Sequence, residues 1–150
     1  MFRRLSALTA LAFLSLAPAH ATGGISCEAE DRSAKFTIGS PISRSAGGAF
    51  HQFEGELELK VRGIAEDFRK LTFAKEHLTQ SWFDARDLRM RVYHERSGEP
   101  HGTVELTIEA RGNPDAETWR GRYTISIGET VNGEFRTRQV NGRVSCSVEG

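Results

Sequence analysis

The chain has 150 residues, of which 20 are basic, 20 are acidic and 38% are hydrophobic. This balanced charge argues against nucleic-acid binding, which needs a strongly basic surface. The sequence contains no internal repeat, low-complexity tract or linker, so a single domain is expected.

A secretory signal peptide is predicted over residues 1–21. Two arginines precede an apolar run over residues 5–17, and Ala19-His20-Ala21 is a small-x-small cleavage site. Cleavage after Ala21 predicts one mature domain over residues 22–150, with a periplasmic or secreted location. The apolar run is shorter than the roughly 20 residues that a membrane-spanning helix needs, and no later stretch comes close. We therefore expect no membrane span, and a mature chain with 18 basic and 20 acidic residues.

The two cysteines of the chain, Cys27 and Cys146, are predicted to form a disulfide. Oxidising compartments convert such pairs into bridges, and a metal or redox site would favour a closer pair. In the chain-entropy model, closing so long a loop stabilises the fold by about 4–5 kcal/mol. The bridge is expected to tie the first strand to the last.

Apolar and polar residues alternate with period two in several segments, which predicts half-buried strands. These segments are residues 53–61, 88–94, 103–109, 119–127 and 140–148. A less regular first strand is expected over residues 25–38, with a bulge where the apolar positions change parity. Turn signals such as Asn132-Gly133 separate the strands.

One segment departs from this pattern. Leu71, Ala74, Leu78 and Trp82 recur at helical spacing, which predicts one short helix near residues 74–83. The fold class expected overall is all-β: a small antiparallel meander of six to eight strands, closed as a β-barrel or folded as a sandwich to protect its edges.

A two-residue turn at Asn132-Gly133 predicts the register of the last hairpin. Residue numbers of cross-strand partners then sum to 265, which aligns the apolar faces of both strands. The expected pairs are Ile125 with Val140, Gly121 with Val144, Trp119 with Cys146, Ile127 with Arg138, and Glu129 with Arg136. Similar reasoning around Gly98 places Val92 opposite Val104, Met90 opposite Leu106 and His94 near Gly102.

These registers place several polar side chains at one mouth of the barrel. The expected group is His51, His94, His101, Glu129, Arg136 and Arg138. One interpretation is a ligand site, in which the two arginines orient an acidic end and the interior side chains line the cavity: Leu57, Leu59, Met90, Leu106, Trp119 and Tyr123. The other interpretation is a solvated rim, with Glu129 and Arg136 forming a surface ion pair worth little. The three histidines are weak metal candidates because they lack tight ligand spacing, and no cofactor is predicted.

The outward charges on consecutive strands form rows that include Arg89, Glu109 and Arg122. We expect these charges to pair with one another on a solvated outer face. The alternative is that they form a binding face for a charged partner protein. Asp84 and Asp87 fit turn and cap positions better than an acid–base pair, and Trp82-Phe83 fits a core or barrel plug better than a stacking platform.

Familiar enzyme motifs are missing from the sequence, including the Gly-x-Ser-x-Gly elbow and the His-Glu-x-x-His helix. The first hypothesis is therefore an exported, non-catalytic binding protein whose barrel accepts a small hydrophobic or amphipathic ligand. The alternative is an envelope protein-interaction module or enzyme inhibitor with a packed core and an exposed patch or loop, for example residues 40–48. A hydrolase without a recognisable motif is the third hypothesis.

Overall fold

The structure, a computed structural model, describes residues 23–43, 49–50, 52–113 and 115–149. The regular elements in these ranges are β-strands and two short 3-10 turns, Glu66–Phe68 and Lys75–His77. The strands are β1 (Gly23–Glu30), β2 (Ala34–Ser43), β3 (Ala49–Phe50), β4 (Glu54–Leu59), β5 (Lys70–Phe73), β6 (Leu78–Phe83), β7 (Asp87–Glu95), β8 (Gly102–Arg111), β9 (Thr118–Val131) and β10 (Glu134–Glu149). The predicted signal peptide lies outside the described residues.

All ten strands belong to one antiparallel sheet. Nine follow each other in the order β5-β4-β2-β1-β10-β9-β8-β7-β6, and β3 pairs with the end of β2. The sheet curls into a half-barrel in which the first strand pairs with the last. Within the described ranges β5 and β6 do not pair, so residues 74–77 carry the chain from one sheet edge to the other. The all-β antiparallel prediction is confirmed, whereas the described pairing stops short of a closed barrel.

The concave face of the sheet holds the core. Alternate residues of each long strand are buried there, as the period-two pattern predicts. The largest fully buried side chains include Trp119, Tyr123, Phe36, Phe68 and Phe73. Full burial of a large apolar side chain contributes about 1.5–3 kcal/mol, so this face supplies most of the stabilisation.

The prediction of a helix near residues 74–83 is wrong. Lys75–His77 forms a single 3-10 turn, and Leu78–Phe83 is strand β6, which pairs with β7. A helix would bury Leu78 and Trp82 on one face, yet Trp82 is 59% exposed. Ladder hydrogen bonds to β7 outweigh an accidental helical spacing of four apolar residues.

The single bulged strand predicted over residues 25–38 is also wrong, because β1 and β2 are separate strands of a hairpin. The turn is stabilised by Asp31, whose Oδ1 accepts hydrogen bonds from the amides of Ser33 and Ala34. This side-chain turn reverses the chain. The parity change between Ala29 and Phe36 therefore marks a reversal, since these two residues face each other across the hairpin.

The predicted register of the β9–β10 hairpin is confirmed at every pair, including Trp119 opposite Cys146 and Glu129 opposite Arg136. Asn132 adopts a positive φ of 53° and Gly133 one of 81°, as a two-residue turn requires. The predicted β7–β8 register is wrong by two residues. Val92 lies opposite Leu106 because the connecting loop, residues 96–101, is not centred on Gly98.

The sulfur atoms of Cys27 and Cys146 lie within bonding distance of each other. The two residues are direct cross-strand partners on β1 and β10, so the bridge joins the first strand to the last as expected. Within the described ranges, no helix has the length and apolar character needed to cross a membrane.

Candidate functional site

The β9–β10 hairpin extends beyond the neighbouring strands. Pairing of β1 with β10 extends from Glu149 only to Ser145, whereas β10 continues back to Glu134. On the other side, β8 begins at Gly102, opposite Glu129. The tip of the hairpin therefore projects from the mouth of the half-barrel.

One edge of this hairpin is free of strand partners in the part of the chain that the structure describes. We call residues 134–141 of β10 the free edge. Seven of its eight residues are exposed and Val140 is half-buried. At about 3.3 Å per residue, the free edge is roughly 25 Å long. Its unpaired backbone groups form a template on which another strand can pair.

Large apolar side chains are exposed at the hairpin tip. Val131 is 43% exposed and Phe135 is 53% exposed. The Phe135 ring lies against His101, with 5.5 Å between ring centroids, and covers Gly128. Apolar exposure next to an unpaired edge is typical of an interaction surface.

Residues 60–69, which we call the strap, cross the mouth between β4 and β5. Ile64 and Phe68 of the strap are buried. Two residues predicted for the ligand site hold the strap in place. Glu129 Oε1 accepts a hydrogen bond of 2.8 Å from the Ala65 amide, and Arg138 Nη1 donates one of 2.6 Å to the Arg62 carbonyl.

An arginine from the β7–β8 loop secures the other end of the strap. Arg96 donates from Nε and Nη2 to both carboxylate oxygens of Asp67, at 2.6 and 2.8 Å. Its guanidinium also lies 4.4 Å from the centroid of the Phe68 ring. Hydrogen bonding to Arg96 lowers the pKa of Asp67 despite the opposing effect of burial. The mouth is therefore covered by a fixed segment of the chain.

The two arginines and the glutamate predicted at the mouth do not share one site, because their side chains contact different residues. Arg136 is exposed and pairs with Glu134 at 2.9 Å, while Arg138 and Glu129 contact the strap. The interior residues predicted to line a ligand cavity are packed into the core. Met90 and Trp119 are each 2% exposed, and Trp119 Nε1 donates to the Ala116 carbonyl.

Tyr123, also predicted to line the cavity, takes part in a polar contact that crosses the core. Its hydroxyl donates to Asp31 Oδ2, and its ring packs edge-on against Phe36. Burial and the Asp31 carboxylate both raise the pKa of Tyr123. Gly142 lies opposite Tyr123, and a Cβ there would overlap both Asp31 and the Tyr123 ring. The contact therefore fastens the β1–β2 turn to the β9–β10 hairpin.

Two histidines lie together at the point where the chain crosses between the sheet edges. His94 Nδ1 is 3.4 Å from His77 Nε2, and the rings are stacked. His77 Nδ1 accepts a hydrogen bond from the Ala74 amide, so its own proton resides on Nε2 and points to His94. Burial lowers the pKa of His94, the neighbouring His77 adds to this effect, and Asp67 opposes it.

This tautomer disfavours metal binding, because the His77 nitrogen facing His94 carries a proton. Among the described residues, no group of three or more His, Cys, Asp or Glu side chains is placed to hold a metal ion. Of the predicted metal candidates, His51 lies outside the described residues. His101 stands apart from the His77–His94 pair, against Phe135 and near Glu95.

Grooves open mainly between outward-facing residues. One of about 530 Å³ crosses β9, β10, β1 and β2, between Arg120, Arg143 and Lys35. Another of about 800 Å³ lies beside the ends of β2, β4 and β5. By contrast, the predicted interior positions are occupied by packed side chains.

Several residues that organise the mouth were not singled out from the sequence, namely Asp31, Asp67, Phe68, His77 and Arg96. The Asp31-Arg32-Ser33 turn had a recognisable signal, since Asp followed two residues later by Ser often caps a turn. The other contacts join residues distant in sequence and leave no local pattern. A scan against protein-family models and searches of curated proteins and solved structures found no match to this chain.

Proposed function

We propose that the mature chain is a non-catalytic protein-interaction module that binds an extended, acidic segment of a partner protein along the free edge of β10. The observation that carries this proposal is the edge itself, an eight-residue stretch of β10 beyond the last β1 pair, of which seven residues are exposed. A partner strand added there gains main-chain hydrogen bonds along its whole length. Val131 and Phe135 are exposed apolar side chains at the tip, one on each face of the hairpin.

Charge favours an acidic partner over a second copy of this chain. Arg136 and Arg138 stand on the free edge, and one acidic residue, Glu134, is paired with Arg136. Antiparallel self-pairing centred on Thr137 would place Arg136 opposite Arg138 of the other copy. Like charges directly opposite each other destabilise strand pairing. Acidic side chains on a partner strand would meet the same two arginines favourably.

The small-ligand hypothesis needs an internal cavity of some hundreds of Å³. Support for the interaction module comes from the buried positions of Met90, Trp119 and Tyr123 and from the strap across the mouth. A lipophilic ligand is therefore the competing outcome in the experiment below.

We further propose that the chain is exported and that signal peptidase cleaves after Ala21. The basic start, the apolar run over residues 5–17 and the small-x-small site support this proposal. A bridge between Cys27 and Cys146 also supports export, because disulfides form and persist in oxidising compartments.

The test uses the mature, disulfide-intact protein and two synthetic octapeptides of alternating residues, one Glu-Val and one Lys-Val. Backbone hydrogen exchange and calorimetry measure binding. We expect the acidic peptide to protect the amides of residues 134–141 that face away from β9, and the basic peptide to bind more weakly. Methylation of alternate peptide amides should abolish binding, because it removes ladder donors.

A matched pair of variants separates edge binding from general charge attraction. Arg136→Glu should weaken binding of the acidic peptide, whereas Arg32→Glu, in the exposed β1–β2 turn, should leave it unchanged. Equal binding by both variants would refute the edge assignment. Native mass spectrometry that releases a lipophilic molecule on denaturation, with no peptide protection, would favour the small-ligand hypothesis instead.

A further inference from the structure

The outer face of the sheet carries rows of charged side chains that run across the strands. In one row, Lys70, Glu58, Lys35 and Glu30 are successive cross-strand partners of alternating sign. The same row continues on β7 to β9 through Arg89, Glu109 and Arg122. Alternation of this kind favours strand pairing. The pairs Arg89–Glu109 and Glu109–Arg122 confirm the alternating charges expected on β7 to β9.

The alternation fails on β8, β9 and β10. Arg122 lies directly opposite Arg143, and in the next row Arg111 lies directly opposite Arg120. We call these four exposed residues the arginine patch. Cross-strand neighbours are about 5 Å apart at Cβ, and alternate residues of one strand are about 7 Å apart. The patch therefore presents guanidinium groups in two adjacent rows.

Among the described residues, one of the four patch arginines forms an ion pair with a carboxylate. Arg111 pairs with Asp87 at 2.8 Å, and Arg91, outside the patch, pairs with Glu105. Glu109 stands opposite Arg122, yet among the described residues no carboxylate oxygen lies within 4.0 Å of the guanidinium nitrogens of Arg120, Arg122 or Arg143. The cross-strand partner of Arg120 on β10 is Ser145, and the partner of Ser145 on β1 is Glu28.

Two consecutive rows of opposed arginines weaken the sheet, so folding does not explain them. Arginine presents a planar fork of donors that suits phosphate and sulfate oxygens. The groove of about 530 Å³ begins at Arg120 and Arg143 and offers room beside the patch, and Glu28 and Glu30 also line it. A smaller groove of about 350 Å³ lies on the other side, along Arg111, Arg120 and Arg122.

We propose that the arginine patch binds a molecule carrying two or more phosphate or sulfate groups spaced about 5–7 Å apart. The site lies on the outer face of β8–β10 and is separate from the free edge. Bridging oxyanions replace arginine repulsion with charge-assisted hydrogen bonds. Binding therefore stabilises the fold, and it weakens as salt rises.

The test is calorimetric titration of the mature protein with inositol hexakisphosphate, with a heparin hexasaccharide and with phosphatidylglycerol vesicles, at low and high salt. We expect Arg122→Thr/Arg143→Thr to weaken binding by about tenfold or more, the equivalent of one lost charged hydrogen bond. The same variant without ligand should melt at the same temperature or higher, because the repulsion is removed. Binding only to vesicles would assign the phosphate groups to neighbouring lipid headgroups, and binding only to the soluble probes would assign them to a free polyanion.

The control is Arg32→Thr/Arg62→Thr, which removes the same charge from two exposed sites elsewhere. It should bind every probe as the parent protein does. Equal weakening in both double variants would show general charge attraction and overturn the proposal. So would the absence of binding to all three probes, or a sharply lower melting temperature for Arg122→Thr/Arg143→Thr, which would make the arginines structural.

Discussion

Replacing Tyr123 with phenylalanine should destabilise the protein while leaving its packing unchanged. The ring of Tyr123 is fully buried against Phe36, and the substitution removes only the hydroxyl that donates to Asp31. Asp31 keeps its hydrogen bonds from the Ser33 and Ala34 amides. The turn between β1 and β2 therefore stays formed but loses its attachment to β9.

Hydrogen bonds to charged groups contribute about 1.5–3 kcal/mol. Because Asp31 is only partly buried and keeps two donors, we expect the lower part of this range, about 1.5–2 kcal/mol. For a domain of this size, each kcal/mol corresponds to a shift in melting temperature of roughly 3–5 °C. Tyr123→Phe should therefore melt about 5–10 °C below the parent protein at pH 7.

The effect should depend on pH with a definite sign. Burial alone would raise the pKa of Asp31, but hydrogen bonds from Tyr123 and the turn amides outweigh it and lower that pKa below the ordinary value of 3.8. A lowered carboxyl pKa gives stability that is present above pH 3.8 and lost as the pH falls through the folded-state value. The difference between Tyr123→Phe and the parent should therefore shrink as the pH falls below 3.8.

Thermal unfolding followed by circular dichroism measures both effects. The second tyrosine of the chain is a matched control, since Tyr93 makes only a 3.4 Å contact with Glu95 on the outer face. Tyr93→Phe should melt within about 1 °C of the parent. If Tyr123→Phe behaves like Tyr93→Phe, the Asp31 contact contributes nothing and the reasoning fails.

Three further predictions concern the bridge, the close approach beside Tyr123 and the histidine pair. Cys27→Ser should lower the free energy of unfolding by up to about 4–5 kcal/mol, and reduction of the parent protein should give a similar loss; an unchanged denaturation midpoint would contradict the bridge. Gly142→Ala should cost about 1–3 kcal/mol because its Cβ overlaps Asp31, whereas Gly24→Ala, whose Cβ would lie at an ordinary contact distance of 3.8 Å from the Ser40 carbonyl oxygen, should melt nearly as the parent does. Because the folded-state pKa of His94 is lowered, the unfolded chain binds more protons, so stability should fall as the pH drops through about 6.5. His94→Gln should flatten this urea-denaturation profile, and a profile as steep as the parent's would rule out the histidine pair as its origin.

Local chemistry made much of the fold predictable. Alternating residues predict which side of each strand is buried, because successive side chains point to opposite faces. Asn132-Gly133 predicts the hairpin register, since few residues accept the positive φ angles of its turn. With two cysteines in the chain, the partner of Cys27 required no knowledge of the fold. In each case the information lies within a few residues or in composition.

Only the tertiary structure decided how distant segments meet. Leu78 and Trp82 fit a helix by spacing, but pairing with β7 makes their segment a strand. Tyr123 and Asp31 are 92 positions apart, and their contact depends on the curl that brings β1 against β10. The free edge likewise exists because β1 turns back while β10 continues. Such features depend on the relative lengths and paths of whole strands, which no local sequence pattern encodes.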